Sequence, residues 1–198
     1  MKRILFTIFT LTFVSSVTFA QDFTKDITTA KTSYSAGKLE DAHFALLQAL
    51  QEIDIKIGEE VLKLLPLQID TLKSNPKDDN VAGSSGYIGT TIHRTYGTVR
   101  GSEITIITNS PMIGSINALL NSPLMGGMMS DGKTKIVKVQ GYKARMEKSP
   151  MDNGTNNYSI DIPMNNSLIT IKMNNSTDTQ ILDVANKLAL GQIAKLIQ

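Results

Sequence analysis

The longest regular apolar pattern in the chain runs from Lys38 to Leu65 and predicts one long α-helix. Its apolar positions recur at intervals of three or four residues, which places them on one face of a helix. They are Leu39, Leu46, Leu50, Ile53, Ile57, Val61 and Leu64, with His43 among them. An amphipathic helix is stable in water when this stripe is buried, so we expect the rest of the chain to cover it.

A second, shorter helix precedes the long one. Apolar residues at helical spacing predict it over residues 22–36, and Gly37 ends it because glycine adopts the left-handed conformation without a Cβ penalty. The short connection predicts an antiparallel helical hairpin over residues 21–66, and Pro66 ends its second helix.

The hairpin resembles a tetratricopeptide repeat over about 35 residues, close to the length of one such unit. The matching small and apolar positions are Gly37, Leu39, Ala42, Leu46 and Ala49. The resemblance implies two closely packed helices. Such repeats bind peptides by stacking several units, and this sequence shows no second copy. We therefore expect the hairpin geometry without the peptide binding of that family.

Residues 1–20 have the pattern of a secretory signal peptide. Lys2 and Arg3 precede a nearly uncharged run, and Thr18-Phe19-Ala20 resembles a cleavage site with small residues at its first and last positions. The run is short for a bilayer span of about 20 apolar residues. We expect a mature chain that begins at Gln21 in the periplasm or outside the cell. An uncleaved membrane anchor is the alternative.

Charge and cysteine content narrow the function classes. The chain has 20 Lys and Arg against 18 Asp and Glu, and removal of Lys2 and Arg3 leaves 18 of each. A formally neutral mature chain lacks the positive charge typical of nucleic-acid binding. The absence of cysteine excludes disulfides and thiolate ligands. We expect a bacterial envelope protein that relies on its core and has no membrane span after cleavage.

Beyond the hairpin, the pattern changes twice. Residues 67–86 are polar and rich in turn residues, which predicts a linker. Residues 87–198 then alternate in the manner of strands, at 87–96, 103–108, 133–146, 158–164 and 168–173. Gly141 is expected to mark a bulge in the third of these, and Gly191 to interrupt the closing helix that begins with a Thr177–Gln180 capping box. The prediction is an α+β fold, with the N-terminal αα-hairpin followed by an antiparallel sheet of about five strands covered by helices.

An uncharged segment between the second and third predicted strands is the candidate binding site. Pro111 is typical of the first turn of a helix. Six apolar side chains in residues 111–129 are expected to contact a partner or ligand: Met112, Ile116, Leu124, Met125, Met128 and Met129. Methionine adapts to varied apolar surfaces. The competing interpretation is a core-covering helix followed by a buried loop.

The chain offers few residues for catalysis. Its two histidines are His43 and His93. Glu40 and His43 have the spacing of a di-iron helix, but His93 has no glutamate three residues before it to complete such a site. Alternation places His93 and Arg94 on opposite faces of a strand, so they would not act on one substrate. With no recognisable catalytic or phosphate-loop motif, we expect no catalytic residue, metal or cofactor.

These observations predict an exported, non-catalytic binding protein of the bacterial envelope that contacts another envelope protein through residues 111–129. A carrier of a small hydrophobic ligand or lipid is the first alternative. A hydrolase with an unrecognised site is the second.

Overall fold

The computed structural model describes residues 18–83, 89–98, 102–122, 132–152 and 154–197. Its helices are α1 (Thr18–Ser35), α2 (Leu39–Leu64), α3 (Ile113–Asn121), α4 (Asp178–Lys187) and α5 (Leu190–Leu196). Its strands are β1 (Gln68–Ile69), β2 (Leu72–Lys73), β3 (Asn80–Ala82), β4 (Thr91–Tyr96), β5 (Ser102–Ile107), β6 (Thr134–Val139), β7 (Tyr142–Pro150), β8 (Asn156–Met164) and β9 (Ser167–Met173). The predicted α+β class and the N-terminal helical hairpin are confirmed.

The chain divides into two compact units, residues 1–49 and 50–198. The division falls inside α2, whereas the sequence led us to expect a boundary at the polar stretch 67–86. In the first unit, α1 ends at a turn in which the N–H of Lys38 donates to the carbonyl of Ser33 at 2.9 Å. Gly37 has φ of 72° there, the conformation for which glycine was expected.

The second unit contains a seven-stranded antiparallel sheet with the strand order β3-β4-β5-β9-β8-β7-β6. The predicted strand 133–146 is in fact two strands, β6 and β7. Gln140 and Gly141 connect them with φ of 47° and 93°. Two consecutive positive φ values are typical of a two-residue hairpin turn, so Gly141 ends a strand and does not mark a bulge within one.

The stretch expected to be a linker contains ordered strands. β1 and β2 pair with each other in a separate two-stranded sheet, and β3 pairs with β4 through Asn80 opposite His93 and Ala82 opposite Thr91. The side-chain amide of Asn75 donates to the carbonyl of Gly97 at 2.7 Å. Contacts with the sheet, which the local sequence does not reveal, order this part of the chain.

One face of the sheet forms the core of the second unit. Alternate strand residues project into it and are completely buried, among them Ile92, Tyr96, Ile104, Ile106, Ile160, Ile162, Ile169 and Ile171. Val61 and Leu65, at and just beyond the C-terminal end of α2, pack in the same cluster, together with Ile181 of α4 and Ile193 of α5. The helices therefore cover this face, as alternation in an antiparallel sheet predicts.

The predicted capping box at the start of α4 is confirmed. The hydroxyl of Thr177 accepts from the backbone N–H of Gln180, and the side chain of Gln180 accepts from the N–H of Thr177. The break that follows α4 lies at Leu188, whose backbone is extended. Gly191 is inside α5, so its predicted role as the interruption is wrong.

Candidate functional site

The predicted binding segment begins with α3, which contacts β7 and β8. Ile116 is 4% exposed and packs with Leu120 and Leu168 in a small cluster. Leu168 alternates along β9 with the core residue Ile169, so α3 lies on the other face of the sheet. Ile116 therefore anchors α3 to the sheet.

Met112 differs from Ile116 because half of it is exposed. It precedes α3, and its backbone N–H donates to the hydroxyl of Ser110 at 3.3 Å. The other four predicted contact residues lie outside the described part of the chain: Leu124, Met125, Met128 and Met129. Their role stays a prediction, and the described part of the segment supplies one exposed large apolar side chain, Met112.

The first part of α2 has small side chains buried and large side chains exposed. Ala42, Ala45 and Ala49, at intervals of three and four residues, are 5%, 3% and 2% exposed. Ala30 in α1 is buried as well. Since the distance between packed helices depends on the side chains at the contact, alanine allows a close approach.

The stripe that we expected α2 to bury is largely exposed. Leu39, Leu46, Leu50 and Ile53 are between 40% and 63% exposed, so this prediction is wrong for the first four turns of the helix. The alanine face lies beside the leucine stripe, and both have helical periodicity. The pattern alone does not reveal which of the two faces the neighbouring helix.

The first unit consequently has many large apolar side chains in contact with solvent. We define the hairpin surface as seven residues, each between 36% and 71% exposed: Phe23, Ile27, Tyr34, Leu39, Phe44, Leu46 and Leu47. A fully buried large side chain of this kind covers about 150–250 Å², so these fractions leave roughly 600 Å² of apolar surface. Summed over the two helices, that area is as large as the largest contiguous apolar patches on ordinary monomers, about 300–600 Å².

Away from the apolar cluster beneath α3, the sheet face opposite the core is largely polar, and it contains His93. The imidazole Nδ1 is 3.0 Å from the hydroxyl of Thr105, and Nε2 is 4.0 Å from a carboxylate oxygen of Glu103. Lys172 donates to the other oxygen of Glu103 at 2.7 Å. The structure thus brings together a histidine, a glutamate and a lysine that sequence analysis left separate. His93 lies opposite Thr105 in the β4–β5 pair. Knowledge of this strand register would have placed His93, Glu103 and Lys172 together from the sequence.

These polar side chains stabilise each other across the strands. Farther along the same face, Arg145 donates to Asp161 at 2.6 Å, and the hydroxyl of Thr170 donates to the other carboxylate oxygen at 2.8 Å. Opposite charges on neighbouring strands are a usual source of sheet stability. Because the carboxylates already accept from cations, we interpret this face as a set of structural ion pairs.

Arg94 lies on the core side of the same strand, as alternation predicted. Its side chain is 6% exposed and donates to both carboxylate oxygens of Asp79. The hydrogen bonds with Asp79 raise the pKa of Arg94. His93 and Arg94 therefore do not converge on one substrate.

Two cavities lined by described residues lie in the second unit. One, of ≈160 Å³, is lined by residues that include Asp54, Gly58 and Thr90, and partial burial there raises the pKa of the Asp54 carboxyl. The other, of ≈330 Å³, has a mixed lining that includes Asp70, Ser102, Leu72 and Met173. The first is smaller than the usual ligand pocket of about 300–1,000 Å³. The second has a mixed lining, whereas ligand pockets are lined predominantly by apolar and aromatic side chains.

Neither a metal centre nor a membrane span is found in the described ranges. No three or more His, Asp or Glu side chains among those residues are placed to hold a metal ion. None of the described helices combines the length and the apolar character needed to cross a bilayer. No protein-family model, curated protein or solved structure matches the chain.

Proposed function

We propose that this chain is an exported interaction protein of the bacterial envelope that acts by binding another polypeptide through its hairpin surface. The observation that carries the proposal is the arrangement of α2, with buried alanines on one face and Leu39, Phe44, Leu46 and Leu47 exposed elsewhere. Exposed apolar side chains at this density reduce solubility unless a partner covers them. The hairpin surface is separate from residues 111–129, whose role as a contact surface stays a prediction.

The chemistry of the hairpin surface favours a protein over a bilayer as its partner. Helices that lie in the membrane interface have a polar face rich in lysine and arginine, which attracts anionic lipids. The described part of the first unit has Lys25, Lys31 and Lys38 against four acidic residues, Asp22, Asp26, Glu40 and Asp41. This balance provides no net attraction to an anionic membrane.

The experiment places the photo-crosslinking residue p-benzoylphenylalanine at Leu46 of the full chain, expressed and exported in bacteria. Irradiation of intact cells is expected to yield adducts between this position and protein. Lys187, whose side chain is 72% exposed on α4, is the control position in the second unit. Adducts that are equally abundant at both positions, or adducts only with lipid at Leu46, would contradict the proposal.

A further inference from the structure

We infer that the partner of the hairpin surface is the hairpin surface of a second copy of this chain, so that two hairpins form a four-helix bundle. The inference rests on the proposed function and specifies its partner. Four-helix bundles with short loops place neighbouring helices antiparallel. Two hairpins related by a two-fold axis parallel to their helices satisfy this rule, because α1 of one copy then faces α2 of the other.

The size of the hairpin surface fits such a dimer. Specific interfaces bury about 800 Å² on each partner, and about 65% of a homodimer interface is apolar. The exposed apolar area of the first unit, on the order of 600 Å² in total from its seven large side chains, is comparable with that apolar share. A single tetratricopeptide-like hairpin also lacks the neighbouring repeat that would normally cover it.

The charges at the turn end of the hairpin are complementary in the same arrangement. Lys31 is four residues before the end of α1 at Ser35, and Glu40 and Asp41 are in the first turn of α2. With both turns at the same end of the bundle, Lys31 of one copy lies within about one helical turn of the level of Glu40 and Asp41 of the other. The two-fold axis repeats the contact, since residues i and j exchange roles in an isologous interface. A second copy thus meets opposite charges around the apolar centre.

The exported chain is purified from the envelope, and its N-terminus is determined by sequencing. Its mass is then measured by analytical ultracentrifugation across a concentration series. We expect a dimer at micromolar concentration. The variant Leu39→Ser with Leu46→Ser is expected to weaken self-association at least thirtyfold, roughly the effect of truncating central interface residues. The matched control, Leu67→Ser with Met151→Ser, changes two residues outside the first unit that are 70% and 47% exposed, close to the 63% and 47% of Leu39 and Leu46.

A monomeric native chain at 100 times that concentration would overturn the inference, as would a dimer that the double hairpin variant leaves intact. Photo-crosslinking at Leu46 provides a second measurement that does not depend on the folding of the double variant. An adduct of twice the chain mass supports the second copy. An adduct with a different protein, together with a monomeric purified chain, overturns the second copy and leaves the proposed function standing.

Discussion

Arg94 and Asp79 form a two-point ion pair that joins the middle of β4 to the turn before β3. The distances are 2.9 Å from Nε to Oδ1 and 2.6 Å from Nη2 to Oδ2. Arg94 also donates through Nη1 to the carbonyl of Leu65 at 2.7 Å, and the Tyr96 hydroxyl donates to the carbonyl of Pro66 at 2.9 Å. Two neighbouring core-side residues thus hold the C-terminal end of α2 against the sheet.

Removal of one member of this pair is expected to be strongly destabilising. Asp79→Ala leaves the Arg94 guanidinium, itself 6% exposed, without its carboxylate. An uncompensated buried charge costs about 3–5 kcal/mol, which urea denaturation would measure. Asp183→Ala is the control, because it breaks the exposed pair with Lys187, and such pairs contribute about 0–1 kcal/mol. Equal losses in the two variants would contradict this account of Arg94.

Glycine-to-alanine changes at two helical positions are expected to have opposite effects on stability. A Cβ at Gly58 in α2 would lie 2.6 Å from Cγ1 of Val81 and 3.1 Å from Cγ2 of Thr90. Both neighbours are β-branched and adjust poorly, so Gly58→Ala should destabilise the fold by about 1–3 kcal/mol.

Gly114→Ala is the matched change. A Cβ there meets no atom within 4 Å, and the unfolded chain loses conformational freedom, so a gain of about 0.4–1 kcal/mol is expected. Thermal unfolding of the two variants checks both signs. A loss at Gly114, or no loss at Gly58, would show that the packing around that glycine differs from the described one.

The capping box of α4 is expected to contribute measurably to stability. Thr177→Ala removes the hydroxyl that accepts from the N–H of Gln180 at 3.2 Å, and loss of such a cap costs about 0.5–2 kcal/mol. Thr179 is two residues later and exposed. The free energy of unfolding of Thr179→Ala should therefore stay within about 0.5 kcal/mol of that of the native chain. Chemical denaturation of both variants separates the cap from a general effect of threonine removal.

Asp54 is expected to make the folded state less stable as pH rises. A salt-bridged carboxylate has the opposite effect, because its pKa is lowered on folding. Burial raises its pKa above the ordinary value of 3.8, so the folded chain holds this proton more tightly than the unfolded chain. The folded state then loses stability as pH rises from about that ordinary value through the raised pKa.

Asp54→Asn removes this dependence. The melting temperature of the variant relative to the native chain should therefore be higher at pH 7 than at pH 3. Asp183→Asn, at an exposed position of α4, serves as the control for the loss of one carboxylate. A relative melting temperature that is the same at both pH values would contradict the stated cause.

The elements that have strong local sequence patterns could be predicted from the sequence. Helical spacing with Gly37 and Pro66 predicted α1 and α2, alternation at 158–164 and 168–173 predicted β8 and β9, and the Thr177–Gln180 pattern predicted the cap of α4. In each case, neighbours in sequence decide the conformation. The α+β class followed from their order.

Which faces are buried, and which distant residues are in contact, depends on tertiary packing. Helical periodicity determines where residues lie around α2, but both its alanine face and its leucine face are periodic, and packing with α1 selected the alanines. β3 is too short to form without β4, and Asp79 reaches Arg94 only because β3 pairs there. Such contacts join residues far apart in the chain, and their free energy depends on the partner surface, which no local pattern contains.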